Sequence, residues 1–537
     1  MPRVRPRGPL SAPPPPADLS IGAFSDHPPW LVEPDGLPWR IGLELVREET
    51  RAAVPRLVRR RRFPPWRRIV RVTAILGWAL AGWYFVDRRR KVPGPRAGLS
   101  HRLRFAFQRL GPTYIKLGQI LSSGEGIFPA ELVGEFKLLR DRVPAESFDV
   151  VRECVEADLG RPLEEVFSEF SPEPVAAASI AQVHRARLSS GEEVVVKVQR
   201  PRVAALVKND LAVMSYLAPH LVGRIPVAVL ANPPALIELF AETIVEELDF
   251  RLEAESMLDV AGAIAAAEQR TIVVPRPHPR LVTPRVLVME RLDGFAWDDV
   301  GGMRDAGIAT EKVMRAAVVS FLEGVMLFGV FHGDLHGGNL FVRPDGRVAL
   351  LDFGITGRLD ETHRLAFLRL VMGATMNDVR SQVTALRDLG ALAPEADLDQ
   401  VIVDLGLDGP PQDVTEMSAE ELTRQMRELT RQLLAYGAKM PKELMLFVKN
   451  ILFLDGVIAT FAPDVDLLGE VVEIAGYFAR RYGDRIAREI GLDPAQAGVD
   501  LDGVRAAIGV SATTEQISYR ELQARREAVR RKFRRQP

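Results

Sequence analysis

The chain has 537 residues, too many for one ordinary core, so two or more lobes are expected. Its 47% apolar and 26% charged composition is that of a globular protein, and a net charge of −1 gives no global field that would point to nucleic acid. The one cysteine, Cys154, excludes an internal disulfide framework and a thiolate metal cluster, and fits a reducing compartment.

In chain order, Met1 to Ser25 is Pro-rich, and its "SAPPPPADLS" offers no apolar core for a secretory signal. Arg3, Arg5 and Arg7 would suit a transit peptide, but the prolines break the helix such a peptide needs. Residues 1–64 read as disordered or loosely packed. Residues 65–92 form an apolar helix with basic flanks, centred on Val72 to Val86. That apolar run is shorter than the roughly 20 residues a spanning helix needs. Packing on the protein's own core is the first reading, an anionic membrane surface the second and a span the third. No aromatic–basic interleaving continues elsewhere, so nucleic acid is not a partner.

Residues 93–150 are a helical extension. Another amphipathic helix is expected from Val151 to Phe170. Two strands follow around Ala176 to Leu188 and Glu192 to Pro201, joined by a turn at Ser189 to Gly191. Helices run to about Ala267, and a strand covers Arg285 to Leu292. Beyond Asp293 the pattern is mostly helical. The fold class is therefore α+β, with a small mixed lobe over 151–291 and a mainly helical lobe over 292–475. Residues 476–537 read as a helical basic tail.

The chemistry lies in "FHGDLHGGNLFVRPDGRVALLDFG", Phe331 to Gly354. An Asp, an Asn five positions on, an apolar hairpin and then Asp-Phe-Gly is the spacing of a phosphoryl-transfer site. Mg²⁺ takes hard oxygen ligands in near-octahedral geometry, shared with phosphate and water. On that logic Asp334 is the base or orienter of the nucleophile, and Asn339 and Asp352 are metal ligands. His332 reads as a satisfied core histidine and His336 as a loop-packing residue. Upstream, Lys197 sits on a strand and can reach the phosphates. A buried lysine needs a carboxylate. Glu247 is the first choice of partner and Glu253 the rival, because the helical register is not fixed by the sequence. "VLVME" reads as the strand and hinge beside an adenine ring, with backbone groups near Met289. The expected ligand is ATP or ADP with Mg²⁺.

Before Lys197, where a protein kinase has a glycine loop over the phosphates, this chain has "VAAASIAQVH". Alanine methyls restrict backbone approach and loop flexibility. Together with "KLGQ" (Lys116 to Gln119), "VVVKVQRP", "ELDFRLEA" and "HGDLHGGN…DFG", this loop resembles the UbiB/AarF/ADCK family of atypical kinase-like proteins. The resemblance covers roughly Leu99 to Leu467. It implies a protein-kinase-like two-lobed fold with an N-terminal helical extension. It also implies that Lys116 and Gln119 point at the nucleotide pocket and block a protein substrate. Ala176, Ala177, Ala178, Ser179 and Val183 would then line the nucleotide, with altered nucleotide preference and suppressed autophosphorylation. The family supports biosynthesis of ubiquinone or related isoprenoid quinones and lipids at membranes. A lipid or quinone-precursor ligand and a cytoplasmic protein peripheral on the inner face of a membrane are the matching expectations. The chain departs from the family pattern at "SSGEGIFPAEL" and "HGDLHGG". It also lacks a C-terminal pair of apolar spans, since Glu443 to Ala462 contains Lys449, Asn450 and Asp455 and reads as a buried helix. A soluble small-molecule phosphotransferase and a non-catalytic nucleotide-binding scaffold are the rival readings.

Overall fold

Alternation in "EVVVKVQ" sets the central strand. Val194, Val196 and Val198 point to one face and are buried, which leaves Val195 and Lys197 on the other. The computed structural model describes residues 23–25, 29–60, 65–87, 95–122, 129–139, 145–221, 233–407, 432, 436, 441–491, 500–507 and 514–534. The Pro-rich stretch 1–22, the arginines of 61–62 and 88–90, residues 123–128 of "SSGEGIFPAEL" and the last three residues lie outside that set.

The strands are β1 (Phe167–Ala177), β2 (Ala181–Leu188), β3 (Glu193–Gln199), β4 (Ile272–Val273), β5 (Pro277–Val282) and β6 (Val286–Glu290), followed by β7 (Phe295–Ala296), β8 (Val330–His332), β9 (Leu340–Val342), β10 (Val348–Leu350) and β11 (Thr356–Arg358). An antiparallel five-stranded sheet runs β1-β2-β3-β6-β5. A smaller sheet runs β4-β10-β9-β7, and β8 pairs with β11. The helices used below are α1 (Leu43–Leu57), α2 (Trp66–Gly82), α3 (Pro95–Leu110), α4 (Pro112–Ser122), α5 (Ala130–Lys137), α6 (Phe148–Leu159) and α7 (Val203–Leu217). They continue with α8 (Pro233–Glu246), α9 (Phe250–Ala266), α10 (Thr310–Glu323), α11 (Glu361–Thr375), α12 (Lys442–Phe461), α13 (Leu467–Ile490) and α14 (Tyr519–Arg534).

The valine face of the large sheet packs on α6 through Val151 and Val155. Its other face meets α9, whose Leu252, Met257 and Leu258 belong to the main core. Helices α10, α11 and α12 share that core through Phe321, Phe367 and Phe447. Strands and helices thus mix upstream and helices dominate downstream, as an α+β reading requires.

Four expectations need correction. The described part of 1–64 is packed, not loose: Phe24 and Trp39 are buried, α1 buries Leu43 and Val54, and Arg47 pairs with Glu255 on α9 at 2.7 Å. Apolar and aromatic residues scattered among prolines carry no period, yet tertiary contacts bury them. The helix expected over Val151 to Phe170 ends at Leu159, where Gly160 takes φ 66° and Pro162 follows, and β1 begins at Phe167. The boundaries at 150/151 and 475/476 fall inside α6 and α13, and Phe478 and Ile486 of the supposed tail pack with Leu327 and Leu368. The apolar stretch at 65–92 is longer than its Val72–Val86 centre: α2 runs on into a π-turn, giving 22 helical residues, Trp66–Asp87, long and apolar enough to cross a membrane. Only Val72 and Ala79 of α2 are buried.

Candidate active site

The turn between α8 and α9 decides the polar architecture. Residues 247–249 break the helix, and Asp249 caps α9 by accepting from Arg251 N at 3.0 Å. The break resets the register. Glu253, in the first turn of α9, faces β3, where Lys197 Nζ lies 2.7 Å from its Oε1. Glu247 faces α4 instead, and Lys116 Nζ lies 2.8 Å from its Oε1. Glu253, not Glu247, is therefore the partner of Lys197, because the helix break puts the two glutamates against different elements.

Lys197 also donates to Asp352 Oδ1 at 3.0 Å and stacks over the Phe250 ring at 5.4 Å. Burial alone would lower its ammonium pKa, but Asp352 and Glu253 together raise it. Burial pushes the Glu253 carboxyl up to about 7, against the pull of Lys197. Asp352 has φ 55°, rare for a residue with a side chain, and its Oδ1 accepts from Gly354 N at 3.2 Å. A Cβ at Gly354 would sit 3.2 Å from Asp352 Oδ1 and 3.4 Å from Glu247 Cγ, so the glycine of Asp-Phe-Gly lets the two carboxylates come together. Phe353 is buried, edge-on to His332 at 5.2 Å.

His332 is the satisfied core histidine expected. Its Nε2 donates to Leu351 O at 2.9 Å and its Nδ1 accepts from Asp334 N at 3.1 Å, which fixes a neutral ring; burial lowers its pKa. His336 accepts from Gly338 N at 3.0 Å, shaping the turn between Asp334 and Asn339. Asn339 Nδ2 donates to Asp334 O at 3.1 Å. Leu351 N bonds Asn339 O at 2.8 Å, and the hairpin pairs Leu340 with Leu350, so Asn339 and Asp352 stand at neighbouring strand ends. Because Asn339 Nδ2 is spent on Asp334, its amide oxygen and the Asp352 carboxylate are the hard oxygens offered to a cation. That donor set is too small for a closed protein cage, and no group of three or more acidic, His or Cys ligands occurs among the described residues. It fits Mg²⁺ completed by phosphate and water.

Asp334 is held by cations. Burial would raise its carboxyl pKa, but Lys449, His336 and Lys116 hold it well below the usual carboxylate range. Asp352 is depressed in the same way, by Lys197 and Lys116. Lys116 thus faces Glu247, Asp334 and Asp352 together. Gln119, half-buried, lies one turn further along α4. Between them, a Cβ on Gly118 would run into Leu139 Cδ1 and stand 3.3 Å from Phe107, so glycine permits the close packing of α4 on its neighbours.

The alanine loop is pinned. Ala178 N donates to Ala181 O at 2.8 Å, and Arg200, of the "VQRP" run, donates from Nε to Ala178 O at 3.1 Å and from its backbone N to Ile180 O at 2.8 Å. Ala176 and Ala177 end β1, and Ser179 is buried in the turn. Val183 is paired with Ala176 on one side and with Lys197 on the other. Met289 lies in β6 opposite Val195, on the Lys197 face of the sheet.

Sequence reasoning missed Lys449 and Asn450 of α12. Lys449 Nζ makes an ion pair with Asp334 Oδ1. The fully buried Asn450 donates to His332 O at 2.5 Å and accepts from Leu335 N at 3.0 Å. An adjacent Lys and Asn in the middle of a largely apolar helix were the available signal.

An ABC1 atypical kinase-like domain family matches residues 138–386. An uncharacterized protein of Mycobacterium tuberculosis is 37% identical over 417 residues, 75% of this chain and 84% of that protein. An uncharacterized chloroplastic aarF domain-containing protein kinase of Arabidopsis thaliana is 33% identical over 402 residues, 68% of this chain and 72% of the relative. A probable protein kinase UbiB of Marinobacter nauticus is 29% identical over 395 residues, 72% and 70% of the two chains.

Proposed function

The chain belongs to the ABC1 (UbiB/aarF) family of atypical kinase-like proteins, and on that premise we propose that it binds ATP or ADP with Mg²⁺ and acts as an atypical kinase or ATPase in quinone or lipid metabolism at a membrane. The observation that carries the reading is the convergence of Lys197, Glu253, Asp334, Asn339 and Asp352 on one site from three separate stretches of chain.

In this reading the large sheet with α6 and α9 is the smaller lobe, the helices around α12 form the larger one, and the nucleotide lies between them. Val183, Met289 and the alanine loop line it. Lys197, set by Glu253, takes the phosphates. Asn339 and Asp352 would hold Mg²⁺, which when bound neutralises phosphate charge. Asp334, ionised by its basic neighbours, orients an acceptor hydroxyl or water. Lys116 enters the site from α4 through its pair with Glu247; by the family resemblance Lys116 and Gln119 would block a polypeptide acceptor, which favours water or a small or lipid hydroxyl.

The membrane part of the reading draws on the helical stretch Trp66–Asp87, whose outer face exposes Trp66, Val70, Trp78, Tyr84 and Phe85. Arg68 bonds Asp210 of α7 and Arg102 bonds Asp87, so both ends of Trp66–Asp87 are tied to the protein. That favours a helix lying on an anionic surface over one that crosses it. The reading is of a cytoplasmic protein held at the inner face. The quinone assignment draws on the sequence resemblance and the UbiB relative.

The test is nucleotide turnover by the full chain with and without anionic liposomes and quinone precursors, together with thermal-shift measurement of Mg-ADP and Mg-ATP binding. Turnover stimulated by both additions is expected. Lys197→Ala and Asp352→Ala should lose the Mg-dependent stabilisation. Full ATP and ADP stabilisation in both variants would overturn the reading.

A further inference from the structure

Among the described residues, three lysines reach the site. Lys197 is committed to Glu253 and Asp352, and Lys116 to Glu247. The third, Lys449, pairs directly with Asp334, the residue that faces the acceptor. It comes from α12, 115 residues further along the chain. A cation there is not required to shape the loop. Asn450 already ties His332 O and Leu335 N to α12, and Leu446 packs against the loop at Gly333, where an added Cβ would stand 3.1 Å from Leu446 Cδ1. Lys449 is therefore surplus to loop anchoring, while its ammonium sits on a rigid helix at the acceptor side of the site.

Phosphoryl transfer needs fixed positive charge on the transferred group's oxygens. The loop from Asp334 to Asn339, "DLHGGN", contains no Lys or Arg. We propose that Lys449 is the cation for the transferred phosphoryl group: it holds Asp334 in the resting protein and contacts the terminal phosphate of bound ATP during transfer. The proposal rests on the nucleotide reading above. In the step served, the acceptor oxygen bonds to the terminal phosphorus while the bond from that phosphorus to the bridging oxygen of ADP breaks. The acceptor proton passes to a phosphate oxygen or to water.

The experiment compares full-length wild type, Lys449→Met and Lys449→Arg, measuring melting temperature, Mg-ADP and Mg-ATP affinity, and phosphate release at saturating Mg-ATP. Lys449→Met leaves Asp334 without its directly paired cation and should melt below the wild type, yet it should bind Mg-ADP as the wild type does. It should bind Mg-ATP about tenfold more weakly and turn over about a hundredfold more slowly. Lys449→Arg should recover part of both losses, because it restores charge at the same place. Wild-type turnover and an unchanged ATP-to-ADP affinity ratio in Lys449→Met would overturn the inference alone. Equal loss of both nucleotides would also overturn it, making Lys449 a brace. Wild-type protein that binds neither Mg-nucleotide would instead overturn the functional reading, and this inference with it.

Discussion

Lys116 on α4 and Glu247 after α8 form an ion pair at 2.8 Å, parallel to the Lys197–Glu253 pair at 2.7 Å. Both glutamates are buried, and both lysines also feel Asp352. The two pairs bring cations from opposite directions, β3 and α4, onto the Asp-Phe-Gly carboxylate. The helical extension is thus wired into the same charge network as the phosphate-binding strand.

Removing Lys116 leaves Glu247 buried without its partner, and burial already raises that carboxyl. Breaking one side of a buried pair costs about 3–5 kcal/mol, whereas replacing both sides by apolar residues is often neutral. Lys116→Ala should therefore lower stability by about that amount in urea, and Lys116→Met with Glu247→Leu should recover most of it. A single variant as stable as the wild type would show that α4 is not held through this pair.

Arg200 fixes the alanine loop through Ala178 O and Ile180 O and is itself tethered to Glu146 at 3.0 Å. Loop stiffness then has two sources, the alanine methyls and the guanidinium. Ala177→Gly and Arg200→Lys should both change the ratio of ADP to ATP affinity, by about three- to tenfold, without loss of fold. Calorimetric titration gives the ratio directly. Identical ratios in all three proteins would remove the loop from nucleotide discrimination.

Asp334, Asn339 and Asp352 were legible because their spacing is local: one turn and one hairpin set their geometry. The choice between Glu247 and Glu253 was not, since the three-residue break before α9 erases the helical phase that would decide it. Lys449 and Asn450 stood out in the sequence only as polar residues of a largely apolar helix, because their role in the site exists through contacts across 115 positions or more. Strand β1 was hidden by Pro172 and Pro174, which an edge strand tolerates because one side needs no ladder partner. Phe24 was hidden as well: its carbonyl neighbour Ala23 accepts from Val274 N at 2.7 Å, and Arg276, itself buried, lies over its ring at 4.8 Å.

His278 gives a pH dependence away from the site. Its Nδ1 accepts from Arg280 N at 3.0 Å and Leu281 N at 3.1 Å, which requires the neutral ring. Burial lowers its pKa from the ordinary 6.5 to about 4. The unfolded chain therefore binds more protons between these values, so stability is full above about pH 6.5 and falls as pH drops toward 4. With partial exposure discounted, the loss is about 1–2 kcal/mol. His278→Asn keeps an acceptor without the titration and should flatten that part of the stability profile. Denaturant curves at pH 4.5 and 7 for both proteins check it, and an equal slope in the two would refute it.

The outer face of Trp66–Asp87 carries the membrane prediction. Trp66 is 70% exposed and Trp78 68%, with Tyr84 and Phe85 beyond them. These side chains contribute little to folding, so Trp78→Ser with Phe85→Ser should change stability by no more than about 0.5 kcal/mol. Burying each in a bilayer interface would contribute roughly 1.5–3 kcal/mol. The pair should therefore weaken binding to anionic vesicles at least about tenfold. Because Arg67 and Arg71 are exposed on the same helix, neutral vesicles should bind more weakly than anionic ones and added salt should reduce the difference. Arg68→Ala acts differently. It leaves the fully buried Asp210 unpaired, so it should lower stability by about 3 kcal/mol and release the start of the helix from α7. Vesicle flotation of the three proteins separates surface docking from anchoring. Undiminished flotation of the doubly substituted protein would assign membrane contact to another part of the chain.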